Sequence, residues 1–313
     1  MSIIGLDLGA TKSNAALFSA DGEILSGNRE IISHKKGAEV GQVILNQISN
    51  FLDEGNQLND PVRALGISVP GIYYSRTGRV WAPNIAGWDD YPLLEELETV
   101  LYNTPVNIRI DSDRACYILG EVWKGNARGC SNAIFMAVGT GIGAGILIDG
   151  QILRGSSDIA GCTGWLALDR PYHEKYTSFG CYEFYASGPG LVRFAQEVMA
   201  QRSNYSGIFS GEMELSAFNL INQYSGGDEI AVTVIDRAIE YWGMAVANLV
   251  SLFNPEKIIL GGGIFGPAAQ FIDRIREEAR KWAQPIGFSQ VTIEVSAIGP
   301  MAGLYGAGYL AIR

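Results

Sequence analysis

The sequence predicts an α/β fold with mostly parallel sheets, divided between two domains. Three observations indicate this fold class. Short apolar strands alternate with amphipathic helices along the chain, which is typical of parallel sheets with crossover helices. At 313 residues the chain exceeds the usual size of one domain. A glycine-rich hairpin also occurs once in each half of the sequence.

Composition and charge narrow the range of functions. A hydrophobic content of 47% with 18% charged residues is enough for a sizeable core and argues against extensive disorder. The formal charge of −10, without a basic patch, makes nucleic acid an unsuitable partner. No apolar run reaches the roughly 18 residues that a membrane span needs. No signal peptide precedes the first strand, so we expect a cytoplasmic protein with four reduced cysteines.

The first element is a strand–turn–strand unit at residues 3–18. Its turn carries a carboxylate, a hydroxyl and an ammonium group among small residues, namely Asp7, Gly9, Ala10, Thr11 and Lys12. Such a turn points several backbone N–H groups into one concavity, which suits phosphate oxygens. A side chain at Gly9 would occupy the ligand's place, and Asp7 beside a nucleotide would lie near a magnesium ion or its waters. An ordinary N-terminal hairpin explains the same residues without any ligand.

The remaining first half alternates strands and helices. We expect a third strand from Ile24, a helix ending near Gly55, strands at 64–69 and 106–110, and a helix at 114–124.

The second half begins with a short sequence repeat of the first. Residues 149–153 (Asp-Gly-Gln-Ile-Leu) match residues 21–25 (Asp-Gly-Glu-Ile-Leu) at an offset of 128, each after a glycine-rich hairpin. This registration favours an internal duplication over a chance repeat of a common turn. The later elements are an irregular region at 155–185, a long helix at 228–253, a strand at 257–260, a helix at 267–283, a strand at 291–295 and a small-residue helix at 301–312.

Three glycine turns follow strands, at Gly9, at 139–143 and at 261–263. Together they indicate two phosphate contacts and one platform for a base or ribose. The sequence lacks GxxxxGK[ST], and the first strand is not followed by GxGxxG and a helix. Walker-type and dinucleotide sites are therefore disfavoured.

A carboxylate that could accept a hydroxyl proton follows the strand at 106–110. Asp113 is our candidate general base for phosphoryl transfer, and Asp111 is its competitor. A helix N-cap role is the structural alternative for either residue.

These motifs as a set resemble those of the ROK family (repressors, open reading frames and kinases) of the actin-like ATPase superfamily. The resemblance covers nearly the whole chain, in order. It is carried by residues 7–12, by Val69-Pro70-Gly71 with Gly78, by residues 83–88, by 111–121, by 139–143 and by 260–263.

The resemblance implies a two-domain actin-like (ribonuclease H-like) fold with the active site in the interdomain cleft. We expect a smaller domain at 1–114 plus 301–313 and a larger one at 115–300. The implied activity is transfer of the γ-phosphate of ATP, with Mg²⁺ near Asp7, to a sugar or polyol hydroxyl, with Asp113 as general base. A homodimer is also implied. The implied nucleotide contacts are Asp7, Gly9, Ala10, Thr11, Lys12, Gly139, Thr140, Gly141, Gly261, Gly262 and Gly263, and the implied substrate contacts are Gly71, Asn84, Ser112, Asp113, Cys162, Trp165 and Glu183.

Departures from the family pattern concern the sugar pocket and a zinc site. Ser112 stands where the family usually has Asn, and Cys162-Thr163-Gly164-Trp165 replaces a Glu-x-Gly-His segment. Of the family's zinc-binding cysteines only Cys181 remains, so we predict no structural zinc. The lost polar groups predict a substrate other than plain glucose. Trp165 either stacks on a sugar ring or fills the space of the zinc loop, and we favour packing.

Two other functions compete with an active kinase. A catalytically weak sugar- or nucleotide-binding protein would explain the altered pocket. A sugar-sensing transcriptional regulator would need a DNA-binding domain before the first strand, and with that strand starting at Ile3 we expect none.

Overall fold

The computed structural model describes residues 2–202 and 204–313, which form two compact units. The strands in chain order are β1 (Ser2–Leu8), β2 (Lys12–Phe18), β3 (Ile24–Ile31), β4 (Val62–Val69), β5 (Ile72–Tyr74), β6 (Arg79–Trp81), β7 (Asn107–Ser112), β8 (Ala133–Val138), β9 (Ile142–Ile148), β10 (Gln151–Ile152), β11 (Lys257–Gly261) and β12 (Thr292–Val295). The helices are α1 (Ala38–Gln57), α2 (Leu93–Leu101), α3 (Asp113–Lys124), α4 (Cys181–Ala186), α5 (Gly188–Gln201), α6 (Ala217–Gln223), α7 (Glu229–Phe253), α8 (Ile272–Trp282), α9 (Pro285–Gln290) and α10 (Ala302–Ile312).

The first unit is formed by Met1–Gly129, Ile152–Ala160 and Pro300–Arg313. Its sheet has the order β3-β2-β1-β4-β7, with β1 antiparallel to β2 and parallel to β4. Alternate residues of β1 face opposite sides, as a strand requires. Ile4 packs with the buried face of α1, whereas Ile3 packs with Leu304 of α10.

Helix α10 approaches its neighbours through small residues. A Cβ at Gly66 of β4 would lie 1.9 Å from the Ala307 carbonyl oxygen, and one at Gly306 would lie 1.7 Å from the Cys116 carbonyl oxygen. These small residues therefore serve close packing. The same packing places α3 in the first unit, so this unit extends beyond the boundary at residue 114 that the sequence suggested.

The second unit is formed by Cys130–Gln151 and Gly161–Gly299. Its sheet has the order β10-β9-β8-β11-β12, with β8 antiparallel to β9 and parallel to β11. Helix α7 supplies the longest buried stripe of its core. The Asp228 carboxylate caps α7 by accepting from the Ile230 and Ala231 N–H groups at 2.9 and 3.0 Å, and Asn254 ends it in a left-handed conformation.

The two sheets share strand order, as an internal duplication requires. The pairs β1–β2, β1–β4 and β4–β7 also have the same directions as β8–β9, β8–β11 and β11–β12. The matched Asp-Gly turns lie at equivalent positions, between β2 and β3 and between β9 and β10. The β5–β6 hairpin and α2 were not predicted from the sequence. The strands of the hairpin have three residues each, whereas α2 does have a helical pattern, with Leu93, Leu97 and Leu101 buried on one face. All four cysteines lie in the described part of the chain, and none of them forms a disulfide bond. Within the described residues, no helix has both the length and the apolar character that a bilayer crossing demands.

Substitution of Gly66 by Ala is expected to destabilise the protein strongly, because the added methyl group would meet backbone rather than a movable side chain. Overpacking of this kind costs about 1–3 kcal/mol or more. Urea denaturation should show a lower midpoint for G66A. Gly27→Ala is the control, because its Cβ would lie 3.7 Å from the nearest atom, the Ala15 oxygen. Equal midpoints for the two variants would contradict the packing described for α10.

Candidate active site

Polar side chains form a row at the carboxyl edge of the first sheet. Asp7 of β1 pairs in register with Ser68 of β4, and Ser68 pairs with Asp111 of β7. Side chains in register on parallel strands point to the same face. The Ser68 hydroxyl donates to Asp7 Oδ1 at 2.7 Å. Three neighbouring strands therefore present two carboxylates and a hydroxyl together.

Asp7 is an unusual carboxylate. Burial raises its pKa to about 6, further helped by the negative charge of Asp113, while the Ser68 hydrogen bond and the Lys12 cation oppose the rise. The backbone of α10 leaves no room beside it, since a Cβ at Gly303 would lie 2.5 Å from Asp7 Oδ1. One carboxylate with substrate phosphates and waters is a usual magnesium environment. Asp7 fits that role, because a nearby cation would offset the cost of its ionisation.

The turn between β1 and β2 is closed by a hydrogen bond from the Gly9 N–H to the Lys12 carbonyl at 2.8 Å. Ala10 and Thr11 at its tip are exposed, and Gly9 and Lys12 are half-buried. The predicted phosphate turn is thus an open, backbone-rich loop directly after Asp7.

The structure separates the roles of the two candidate bases. Ser112 is the N-cap of α3, and its hydroxyl accepts from the Ala115 N–H at 3.3 Å. Neither aspartate is the cap, so that structural alternative is wrong for both. Asp111 is buried at 5% exposure, accepts from the Ser112 N–H at 2.8 Å and pairs with the Arg154 guanidinium.

Asp113 is the more exposed of the two carboxylates, at the first position of α3. Its Oδ1 accepts from the Arg114 N–H at 2.7 Å, and its Oδ2 accepts from the Tyr117 hydroxyl at 3.4 Å. Burial raises the pKa of Asp113, and the Arg114 cation opposes that rise. The Asp113 charge in turn raises the pKa of Tyr117, which keeps that phenol protonated as a donor.

Two further predicted substrate residues lie in the first unit. Gly71 has φ +96, and a Cβ there would lie 2.2 Å from the Trp81 oxygen, so only glycine fits. Its carbonyl accepts from Arg114 Nη2 at 3.1 Å, which ties it to the start of α3. Asn84 is exposed on a loop held by the buried Trp88.

The two glycine turns of the second unit lie side by side, because β8 and β11 are paired. Gly262 has φ +87, and a Cβ there would lie 2.5 Å from the Val138 oxygen at the end of β8. The Gly139 N–H donates to the Gly141 oxygen at 2.9 Å, and nothing lies within 4 Å of a Cβ placed at Gly263. Two bare backbone turns thus share the carboxyl edge of the second sheet. Thr140 at the tip of the first turn is exposed, and Gly261 at the end of β11 is buried.

Glu183 of α4 reaches the first of these turns. Its Oε2 accepts from the Ile142 N–H at 2.7 Å, and a Cβ at Gly164 would lie 2.8 Å from the same oxygen. Burial raises the pKa of Glu183. Cys162 is half-buried, but Trp165 is 56% exposed. The expectation that Trp165 fills internal space is therefore wrong.

Aromatic contacts hold the loop in which the family's zinc cysteines are missing. Tyr176, at one of those positions, is 5% exposed and packs edge-on against Phe184, Tyr185 and His173 at ring distances of 5.8, 5.9 and 5.5 Å. The Lys175 ammonium lies 4.9 Å from the rings of both Phe184 and Tyr185. These contacts tie the loop to α4.

A second anchor of this loop is Asp169. Its Oδ2 accepts from Arg237 Nη2 at 2.7 Å and from the Tyr241 hydroxyl at 2.8 Å, both on α7. Over residues 2–202 and 204–313, no three His, Cys, Asp or Glu side chains are grouped as a metal ion would require. The absence of zinc stays a prediction.

Sequence reasoning missed Ser68 and Arg154. Ser68 could have been predicted from the sequence, since it is the last polar residue of a buried strand that ends beside β1. Arg154 carried no signal, because only the folded chain brings residues 43 positions apart into contact.

Comparison with known proteins agrees with this geometry. A ROK family glucokinase from Streptomyces griseus, in complex with glucose and AMPPNP, superposes with a TM-score of 0.77 at 27% identity, covering 100% of this chain and 99% of that one. The two-domain α/β fold of the actin-like ATPases is thereby confirmed.

The sequence profile of the ROK family matches residues 3–313, and the chain belongs to that family. The glucokinase of Halalkalibacterium halodurans is 29% identical over 98% of this chain and 94% of its own length. The xylose repressor of Caldicellulosiruptor bescii is also 29% identical, over 97% of this chain and 76% of its own.

Elemental analysis of the purified protein is expected to find no stoichiometric zinc, since only Cys181 remains of the cysteine set and aromatic contacts anchor the loop. Treatment with EDTA should leave the thermal midpoint unchanged. One zinc ion per chain would contradict this prediction.

Replacement of Asp7 by Asn is expected to stabilise the protein at neutral pH. Because the folded pKa is raised from 3.8 to about 6, protonation favours the folded state below about pH 4, and this contribution is lost as the pH rises through 6. Ionised Asp7 then costs up to about 3 kcal/mol.

The free energy of unfolding of D7N should therefore exceed that of the wild type by a margin that grows between pH 4 and 7. Urea denaturation across that range measures the margin. Asp149→Asn, in an exposed turn, is the control and should show no such trend. A margin independent of pH would show that burial does not raise the pKa of Asp7.

Proposed function

We propose that this protein is an ATP-dependent kinase that transfers the γ-phosphate to a hydroxyl of a sugar or polyol, with Asp113 as general base. The observation that carries the proposal is the position of Asp113, a half-buried carboxylate at the start of α3 whose helix is already capped by Ser112. The glucokinase relatives support the reaction class, and the AMPPNP complex of the Streptomyces griseus enzyme supports ATP as donor.

In the proposed reaction Asp113 accepts the proton of the acceptor hydroxyl as the oxygen approaches phosphorus. Its raised pKa makes it a better base than a fully solvated aspartate. Tyr117 and the Arg114 N–H fix the direction of the carboxylate. Mg²⁺ held by Asp7 would neutralise charge on the phosphates.

The backbone turns supply the proposed nucleotide contacts. Residues 9–12 in the first unit and 139–141 in the second would bind phosphate oxygens through N–H groups. The open turn at 261–263 would receive the adenosine part.

The proposed substrate differs from plain glucose. Cys162 and Trp165 stand where the family has hydroxyl-binding Glu and a His, whereas Glu183, Asn84 and Gly71 are retained. A site that has lost hydrogen-bonding groups selects against substrates that need them. The exposed Trp165 ring offers an apolar face to a modified sugar, a glycoside or a cyclic polyol. The proposal includes a homodimer, which rests on family resemblance alone, and a cytoplasmic location, which rests on the sequence.

A catalytically weak binding protein is the second candidate. The replaced pocket residues favour it, and the repressor relative shows that the family includes proteins named for regulation. The two candidates differ in turnover, because a binding protein would bind ATP or sugar without phosphorylating an acceptor.

A panel of sugars, glycosides and polyols with ATP and Mg²⁺ should identify an acceptor that is phosphorylated. Asp113→Asn should then lower kcat by roughly 10²–10⁴-fold, because the amide cannot accept the proton. ATP affinity, measured by calorimetry, should change little. Asp149→Asn is the matched control and should retain full activity. Full activity in D113N would disprove the role of Asp113, and no transfer across the panel would favour the binding protein.

A further inference from the structure

We propose that Arg154 is a positioning residue for the general base, acting through its ion pair with Asp111. The inference rests on the proposed function. Arg154 belongs to Ile152–Ala160, a segment that returns to the first unit after β10.

A continuous chain of contacts connects Arg154 to Asp113. The Arg154 guanidinium donates to Asp111 Oδ2, and Asp111 Oδ1 accepts from the Ser112 N–H at 2.8 Å. Ser112 caps α3 through the Ala115 N–H at 3.3 Å, and Asp113 is the first residue of that helix. Each contact restrains the turn that carries the base.

Asp111 needs this partner because it is 5% exposed. Burial raises the pKa of Asp111, whereas the Arg154 cation and the Ser112 N–H oppose the rise. A buried carboxylate that loses its cation tends to take up a proton or to move toward water. Either change weakens the acceptor that holds Ser112 and so loosens the first turn of α3.

The same segment has a second, separate attachment. The Asp158 carboxylate accepts from the Ser75 N–H and from the Ser75 hydroxyl, both at 3.1 Å. This contact leads to the turn of the β5–β6 hairpin and includes no hydrogen bond to Asp111. The Asp158 charge does raise the pKa of Asp111, but replacement of Ser75 leaves that charge in the chain. Ser75→Ala therefore loosens the segment while leaving the Arg154–Asp111 pair in place, which makes it a matched control.

A positioning role and a substrate contact predict different kinetics. Misplacement of a catalytic group lowers kcat, by on the order of 10²-fold for a shift of about 1 Å. It does not weaken substrate binding. Loss of a substrate contact raises KM.

The test compares Arg154→Ala, Arg154→Gln, Arg154→Lys and Ser75→Ala in phosphoryl transfer to the best acceptor of the panel. We expect kcat to fall in R154A and R154Q with KM nearly unchanged, to recover in part in R154K, and to stay at the wild-type value in S75A. Guanidinium ion at millimolar concentration should restore part of the kcat of R154A. Unchanged kcat in R154A and R154Q, or a rise in KM alone, would overturn the proposal.

Amide hydrogen exchange gives a readout that does not depend on activity. The Ala115 N–H, which Ser112 caps, should exchange faster in R154A than in the wild type. In S75A its exchange rate should equal that of the wild type. Unchanged exchange in R154A overturns the positioning role even if the enzyme is active. If the wild type transfers no phosphate, the proposed function fails, and faster exchange in R154A still supports the link from Arg154 to α3.

Discussion

The parallel pairing of β4 with both β1 and β7 is the constraint on which the candidate site depends. It places Asp7, Ser68 and Asp111 in one register row, so that residues 104 positions apart share an edge of the sheet. The pairing in turn depends on α10, whose backbone lies against Gly66 with no space for a side chain. Helix α10, near the end of the sequence, thus helps to position the sheet edge that carries Asp7, near the beginning of the sequence.

The buried carboxylates at this edge of the sheet lower the stability of the folded chain. Asp7 lies in surroundings that disfavour its charged form, and Asp111 requires a cation from a distant segment. Such arrangements are expected where a site must hold a metal ion or direct a proton. A bound ligand then offsets the free-energy cost of the charged, buried carboxylate. The aromatic loop in the second unit illustrates the opposite case. There Tyr176 and its neighbours form ring contacts within the folded chain, and these contacts restrain the loop.

Most of the fold could be predicted from the sequence, because its strands and long helices have strong periodic patterns. The helix α7, the hairpin β1–β2 and the duplicated Asp-Gly turns are examples. Asp113 and the glycine turns could also be found, since strand ends are where such residues collect. Three features could not be predicted. The cap function of Ser112 depends on where α3 begins to within one residue, the exposure of Trp165 depends on loop packing, and the Arg154–Asp111 pair depends on tertiary contact.

The duplication explains the division of chemistry between the two sheets. Both have the same strand order, and in each a backbone turn follows the first strand, at residues 9–12 and at 139–141. The carboxyl edge of the first sheet adds Asp7 and Asp111, whereas that of the second adds the bare turn at 261–263. Carboxylates repel phosphate but attract magnesium ions and protons, whereas unhindered N–H groups attract phosphate. For the proposed kinase, two related sheets would therefore supply one phosphate turn each, and the first sheet would add the carboxylates that a magnesium ion and a proton need.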